Sequence, residues 1–287
     1  MAFIDHIRAC NRHDLSGFRP WLVAGVRVGW VRHALAERLL GFAKVFQAGA
    51  GDQLLLNPAL GRPEDRSAAV AVVAESLAAE GRLSAPIGEL YPVLARWGTA
   101  PLLCLDRAVA ASFGIRAYGL HVNGFVRRAD GGVDLWIGHR ARDRKVAPGQ
   151  LDNMIAGGQP AGLSLRDNLL KEAREEAGLG AAIAGRACPV GALSYVMETP
   201  AGLRPDVLFL YDLEMHKDEI PSNEDGEVER FELVPVDLVA KIVRDTNEFK
   251  FNCNLVIIDF LFRHGNLDPD HKDYLEILAG LRSEPPQ

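Results

Sequence analysis

The apolar positions of the first hundred residues change period several times. WLVAGVRVGWVR (21–32) mixes β-branched and aromatic residues with glycines and reads as a β-hairpin. HALAERLLGFA (33–43) then places apolar residues at helical spacing. RSAAVAVVAESLAAEG (66–81) predicts a second helix, stopping at Gly81 where a left-handed cap is easiest. Near 110–117 the pattern changes to longer strands. AYGLHVNGFVRR (117–128) and GVDLWIGHRA (132–141) flank ADGG, whose Asp-Gly step suits a hairpin turn. GALSYVMET (191–199) and DVLFLYDLE (206–214) are further strand candidates, and EIPSNEDGEVERFELVPV (219–236) reads as an acidic loop entering a last strand. NCNLVIIDFLFRHG (252–265) and DHKDYLEILAGL (270–281) close the chain as helices. This succession predicts a small N-terminal α+β domain over 1–115 and a mixed α/β domain over 116–287.

One more helix carries the chemistry. Ser164 is a suitable N-cap with Asp167 three residues on, and Gly178 stands where the chain must leave the helix. Setting Glu172 at zero and stepping about 100° per residue, Leu165, Leu169, Ala173, Ala177 and Leu170 form one apolar arc from about 20° to about 160°. Glu176 falls at about 40°, inside that arc; Glu172 lies at its edge, and Glu175 about 60° farther out. A solubilising helix would keep its carboxylates opposite the core, as Asp167 does. An ionised carboxylate buried without a partner costs several kcal/mol, so Glu176 needs a cation or strong hydrogen bonds. A hard divalent ion and a buried Arg or Lys are both solutions, and periodicity alone does not choose between them.

Composition narrows the classes. Of the 287 residues 48% are hydrophobic and 24% charged, as in a soluble globular protein, and only the terminal SEPPQ suggests disorder. The net charge of −6 disfavours a bulk nucleic-acid binder, which needs a large cationic surface. The four cysteines, Cys10, Cys104, Cys188 and Cys253, form no CxxC pair and read as buried free thiols in a reducing compartment. MAFIDHIRACNRHDL lacks the apolar core of a signal peptide, and no stretch approaches the ~20 apolar residues of a membrane span. The expectation is a cytoplasmic protein without a membrane partner, and a homodimer is compatible with it.

Upstream of the acidic helix, AGGQPAGLS reads as a glycine-rich loop that lets the backbone approach a ligand closely. Gly157, Lys171-Glu172, Glu175-Glu176 and Gly178-Leu179 together resemble the Nudix box, G-x5-E-x7-R-E-U-x-E-E-x-G-U, with U apolar. Leu163 departs from it where the first glutamate is usual, and Lys171 where arginine is usual. PGQLDNMIAGGQPAGLS and NEDGEVERFELVPV resemble the Nudix branch related to the Nudix part of fungal thiamine pyrophosphokinase. FRPWLVAGVRVGWVRHALAERLL (18–40) resembles the extra N-terminal domain of that branch.

The resemblance implies a Nudix α/β/α sandwich with a mixed sheet, and a hydrolase that splits a small organic or nucleoside diphosphate. Thiamine diphosphate and its oxidised derivatives are among the implied substrates. It further implies Mg²⁺ or Mn²⁺ held by Glu172, Glu175 and Glu176, with Gly157 and Gly158 shaping the loop beside the phosphates. Glu227, in DGEVERF, is the candidate general base or extra ligand; its alternative is an ordinary charged loop residue. His139, Arg140, Arg142, Arg144 and Lys145 form a basic run after a strand, from which Arg140 is the pick for phosphate binding over a solvated strand end. The eight histidines show no HExxH or close pairing, which argues against zinc. Leu163 and Lys171 keep open a competing reading, a Nudix-fold ligand sensor with little turnover.

Overall fold

The computed structural model describes residues 2–144 and 146–284; Lys145 of the basic run and the last three residues of SEPPQ lie outside them. In chain order the elements are α1 (Phe3–Cys10), β1 (Phe18–Val23), β2 (Val26–Arg32), α2 (His33–Leu40), β3 (Phe46–Ala48), β4 (Leu54–Leu56), α3 (Pro63–Ala79), β5 (Leu90–Val93) and β6 (Leu103–Asp106). There follow β7 (Tyr118–Arg127), β8 (Val133–Arg140), β9 (Leu151–Asn153), β10 (Ile155–Gly158), α4 (Leu165–Ala177), α5 (Ala181–Ala184), β11 (Cys188–Thr199) and β12 (Gly202–Glu214). The last are β13 (Val228–Pro235), α6 (Val236–Asp245), α7 (Phe251–Arg263) and α8 (Tyr274–Gly280).

The predicted N-terminal hairpin is β1–β2, antiparallel and turning through Ala24 and Gly25, both at positive φ. It joins β4 and β3 in a sheet of order β2-β1-β4-β3. α3 begins earlier than expected because Pro63 fits the first turn, where its missing N–H costs nothing. It ends just before Gly81, which takes φ +71°. Trp21, Phe46 and Phe113 meet at the centre of this region's core, which gathers buried residues between Trp21 and Ile115. The β5–β6 hairpin stands apart from that sheet.

The second region is the expected α/β/α sandwich. Its seven-stranded mixed sheet runs β11-β12-β7-β8-β13, with β10 added to β7 and β9 to β8; only β12–β7 is parallel. On one face Leu169, Ala173 and Ala177 of α4 pack on Leu120, Val122 and Leu213. On the other, α6, α7 and α8 cover Leu135, Ile137, Leu208 and Leu210. α1 packs into this second core through Phe3, Ile4, Ile7 and Cys10, although it opens the chain. Two thiols depart from the buried reading: Cys10 and Cys253 are buried and free, whereas Cys104 is half-buried and Cys188 exposed. No helix among the described residues is long and apolar enough to cross a membrane.

Candidate functional site

α4 has the ends that its sequence dictates. The Ser164 hydroxyl accepts the Asp167 N–H at 3.1 Å, and Gly178 closes the helix at φ +64°, a left-handed cap that a β-carbon would oppose. Between them the carboxylates sink in the order the helical wheel predicts. Glu176 is 7% exposed, the Glu172 side chain 12% and that of Glu175 37%.

Glu176 decides what kind of face this is. Its carboxylate accepts the Ala156 N–H at 2.8 Å, and no Arg or Lys among the described residues lies within ion-pair distance. Burial, outweighing that hydrogen bond, pushes its carboxyl well above the usual carboxylate range, and the charges of Glu172, Asp152 and Glu227 add to the effect. Glu172 is also raised, first by burial and then by Glu175 and Glu89, against the pull of Lys171. Lys171 bridges Glu172 at 3.1 Å and Glu175 at 2.9 Å, so the one ammonium serves the two outer carboxylates and leaves the innermost without a cation. Negative charge in excess of its partners, at oxygen donors, suits a hard divalent ion, and the residues present fit Mg²⁺ or Mn²⁺.

The glycine pair is placed differently from expectation. Gly157 and Gly158 end β10 rather than lying in a loop, paired with Leu120 and Gly119 of β7; the loop proper begins at Gln159. Two glycines in a four-residue strand hide its alternation from the sequence. Each is required by a close approach. A β-carbon on Gly157 would overlap the Glu172 carboxyl, and one on Gly158 would overlap the Tyr91 hydroxyl. Successive strand residues face opposite sides, so β10 ends between α4 and the β5–β6 hairpin. Asn168 of α4 fixes this junction by donating to the Gly158 carbonyl at 2.7 Å.

Glu227 lies at the foot of β13, its backbone carbonyl accepting the Ala141 N–H and its carboxylate paired with Arg144. Glu172, Glu175 and Glu176 share α4, and the charge of Glu227 adds to the field at Glu176. Arg140, expected at a phosphate, is instead buried and bound to Asp152 at 2.7 Å. The strand pattern explains this: Arg140 alternates with half-buried His139 and turns inward. Leu163, the departure from the box, is exposed. Phe209 meets Trp97 of the N-terminal region at 4.7 Å between ring centroids, and Tyr118 meets the same ring at 4.6 Å.

Sequence reasoning missed a second cluster. His121, Asp152 and Cys253 are buried with their ligand-type atoms within 4.8 Å of one another. They come from β7, β9 and α7, too far apart in the chain for any spacing motif. Asp152 there holds Arg140 at 2.7 Å, Lys250 at 3.2 Å and the Cys253 thiol at 2.7 Å. Burial alone would raise Asp152, but Lys250, Arg140 and His121 outweigh it and hold it at about 2. Burial drives His121 down to about 4, and the Cys253 thiol well above its ordinary value. With two cationic side chains on its sole carboxylate, this cluster is already neutralised and does not call for a metal ion.

Comparison with known proteins bears on both regions. Residues 117–253 match the family described as the NUDIX domain, and residues 2–117 match a domain of unknown function, DUF4743. The chain is 43% identical over 291 residues to Nudix hydrolase 20, chloroplastic, of Arabidopsis thaliana, covering 98% of this chain and 78% of the relative. It is 41% identical over 284 residues to Nudix hydrolase 24, chloroplastic, of the same plant, with the same two coverages. Among solved structures, DR0079 from Deinococcus radiodurans aligns with TM-score 0.42 and 20% identity, over 60% of this chain and 98% of that one.

Proposed function

This chain belongs to the Nudix hydrolase family, and on that premise we propose that it cleaves a diphosphate linkage in a small organic or nucleoside diphosphate compound, with Mg²⁺ or Mn²⁺ held by Glu172, Glu175 and Glu176. Thiamine diphosphate and its oxidised derivatives head the candidate substrates. The observation that carries the metal assignment is Glu176, a buried carboxylate with one backbone donor and no cationic side chain. Had Glu176 been a structural ion pair, an Arg or Lys would stand against it, as Arg140 stands against Asp152.

The ion, when bound, neutralises phosphate charge and supplies Lewis acidity. Glu172 and Glu176 are positioned for it by helix and strand, which hold geometry better than a loop. Glu227 accepts the proton as water attacks phosphorus and the phosphoanhydride P–O bond breaks. Its link to Arg144 fixes its orientation. Gly157 and Gly158 act by what they admit, Glu172 on one side of the strand and Tyr91 on the other.

Phosphate release from thiamine diphosphate, its oxidised forms, nucleoside di- and triphosphates and dinucleotides, measured in Mg²⁺ and in Mn²⁺, tests the reading. Turnover of at least one compound, lost on chelation, is expected. Tight binding without turnover across the panel would make the protein a sensor and overturn the hydrolytic assignment.

A further inference from the structure

We propose that the N-terminal region completes the site, with Arg107 as a substrate-phosphate ligand supplied across the domain junction. This rests on the reading of α4 as the diphosphate-handling face. The junction is built rather than incidental. The Leu90 carbonyl of β5 accepts the Ala161 N–H at 2.8 Å, which ties the hairpin to the loop entering α4. Next along β5, Tyr91 lays its hydroxyl against Gly158, while the adjacent Gly157 lies against Glu172. Two contacts therefore separate the metal-type carboxylates from the tyrosine, and Arg107 stands beside that tyrosine.

Arg107 is held where a recognition residue needs to be held. It opens a short 3₁₀ turn after β6, whose preceding residue, Asp106, accepts the Ala108 N–H at 2.9 Å. Its own N–H donates to the Glu89 carbonyl at 2.8 Å, and Val109, two residues on, is anchored in the N-terminal core. The side chain remains 45% exposed and pairs with Glu89 at 2.7 Å. The Glu89 carboxylate and the Tyr91 hydroxyl together leave part of the five-donor guanidinium fork unused.

Charge balance gives Arg107 its task. Lys171 is spent on Glu172 and Glu175, and Arg144 on Glu227, so neither of these cations is left over for a substrate. A diphosphate brings further negative charge and needs another cation. Burial opposes the Arg107 charge, but Tyr91, Glu89 and Glu227 outweigh it and keep the guanidinium charged. Glu89 in turn adds to the field at Glu172. Glu89 and Arg107 flank the hairpin that is tied to the loop entering α4 and packed through Tyr91 against Gly158, so they are the charged pair that the N-terminal region brings to this junction, with Glu89 holding the guanidinium until phosphate competes for it.

Calorimetric titration of the full chain with inorganic pyrophosphate at fixed Mg²⁺ tests this without requiring turnover. Arg107→Ala should weaken pyrophosphate binding at least tenfold, with Arg107→Lys intermediate because an ammonium lacks the planar fork. Glu89→Gln should tighten it severalfold, a gain that misfolding cannot mimic. For any compound the wild type hydrolyses, Arg107→Ala should raise KM about tenfold while kcat changes less than threefold. Pyrophosphate binding that depends on Arg107 without hydrolysis of any compound would remove the hydrolase reading and leave this one standing. Wild-type protein that does not bind pyrophosphate, or Arg107→Ala and Glu89→Gln variants that bind it as wild type does, would overturn the proposal.

Discussion

Two buried acidic clusters sit on the same sheet, and they differ in whether charge is left over. Around Asp152, Arg140 and Lys250 both lie within 3.2 Å, and the carboxyl is held low at about 2. Around Glu176 there is one backbone N–H, three other acidic groups add to its field, and the carboxyl is pushed well up. The Asp152 cluster even offers His and Cys as ligand types, yet its charge is closed. Ligand-type side chains whose charge is already closed do not call for a cation; a buried carboxylate without a counter-charge must take up a cation or a proton.

The comparison breaks most visibly on stability at Asp152. Asp152→Asn leaves Arg140 and Lys250 buried without their carboxylate and should cost about 3–5 kcal/mol in urea unfolding. A loss under 1 kcal/mol would show that the pairs contribute little. Next is pH. His121 has a folded value near 4 against 6.5 unfolded, so the unfolded chain binds more protons between them. Stability should therefore fall by about 3 kcal/mol as pH drops from 6.5 through 4. Asp152, depressed from 3.8 to about 2, adds a further fall as pH drops through that lower window. His121→Gln should flatten only the upper window, and an unchanged profile would refute the assignment.

At the open cluster the effect moves from stability to turnover. Glu176→Gln should lower metal-dependent kcat by about 100-fold while the melting temperature holds or rises, because a buried acid has been removed. Unchanged kinetics would return Glu176 to a structural role. The smallest effect belongs to Lys171→Met. Its partners are partly exposed, so the metal-free protein should lose less than about 1 kcal/mol.

How much of this could be read from the residues depends on how local each signal is. α4 was legible to its ends because Ser164, Gly178 and the wheel position of Glu176 are all written within one segment. The β7–β8 hairpin was legible from its two strand-like runs and the Asp130-Gly131 turn between them. β10 was not, since glycines occupy the two positions where side chains would have shown the period. In α6, Val236, Val239 and Val243 recur at helical spacing and are all buried, but the acidic loop and strand running into Val236 mask that signal. α1 carries Phe3, Ile4 and Ile7 on one face, but eight residues at the start of the chain give too short a run for helical spacing to stand out. The Asp152 cluster and the approach of Tyr91 to Gly158 are tertiary, and nothing in their sequence spacing announces them.

Manganese binding decides between the two clusters most directly. Titration of Mn²⁺ followed by electron paramagnetic resonance should show binding to the wild-type chain, weakened roughly 10–100-fold by Glu176→Gln and unaltered by Cys253→Ser. Binding that survives Glu176→Gln and disappears in Cys253→Ser would place the ion at His121, Asp152 and Cys253 and contradict the account.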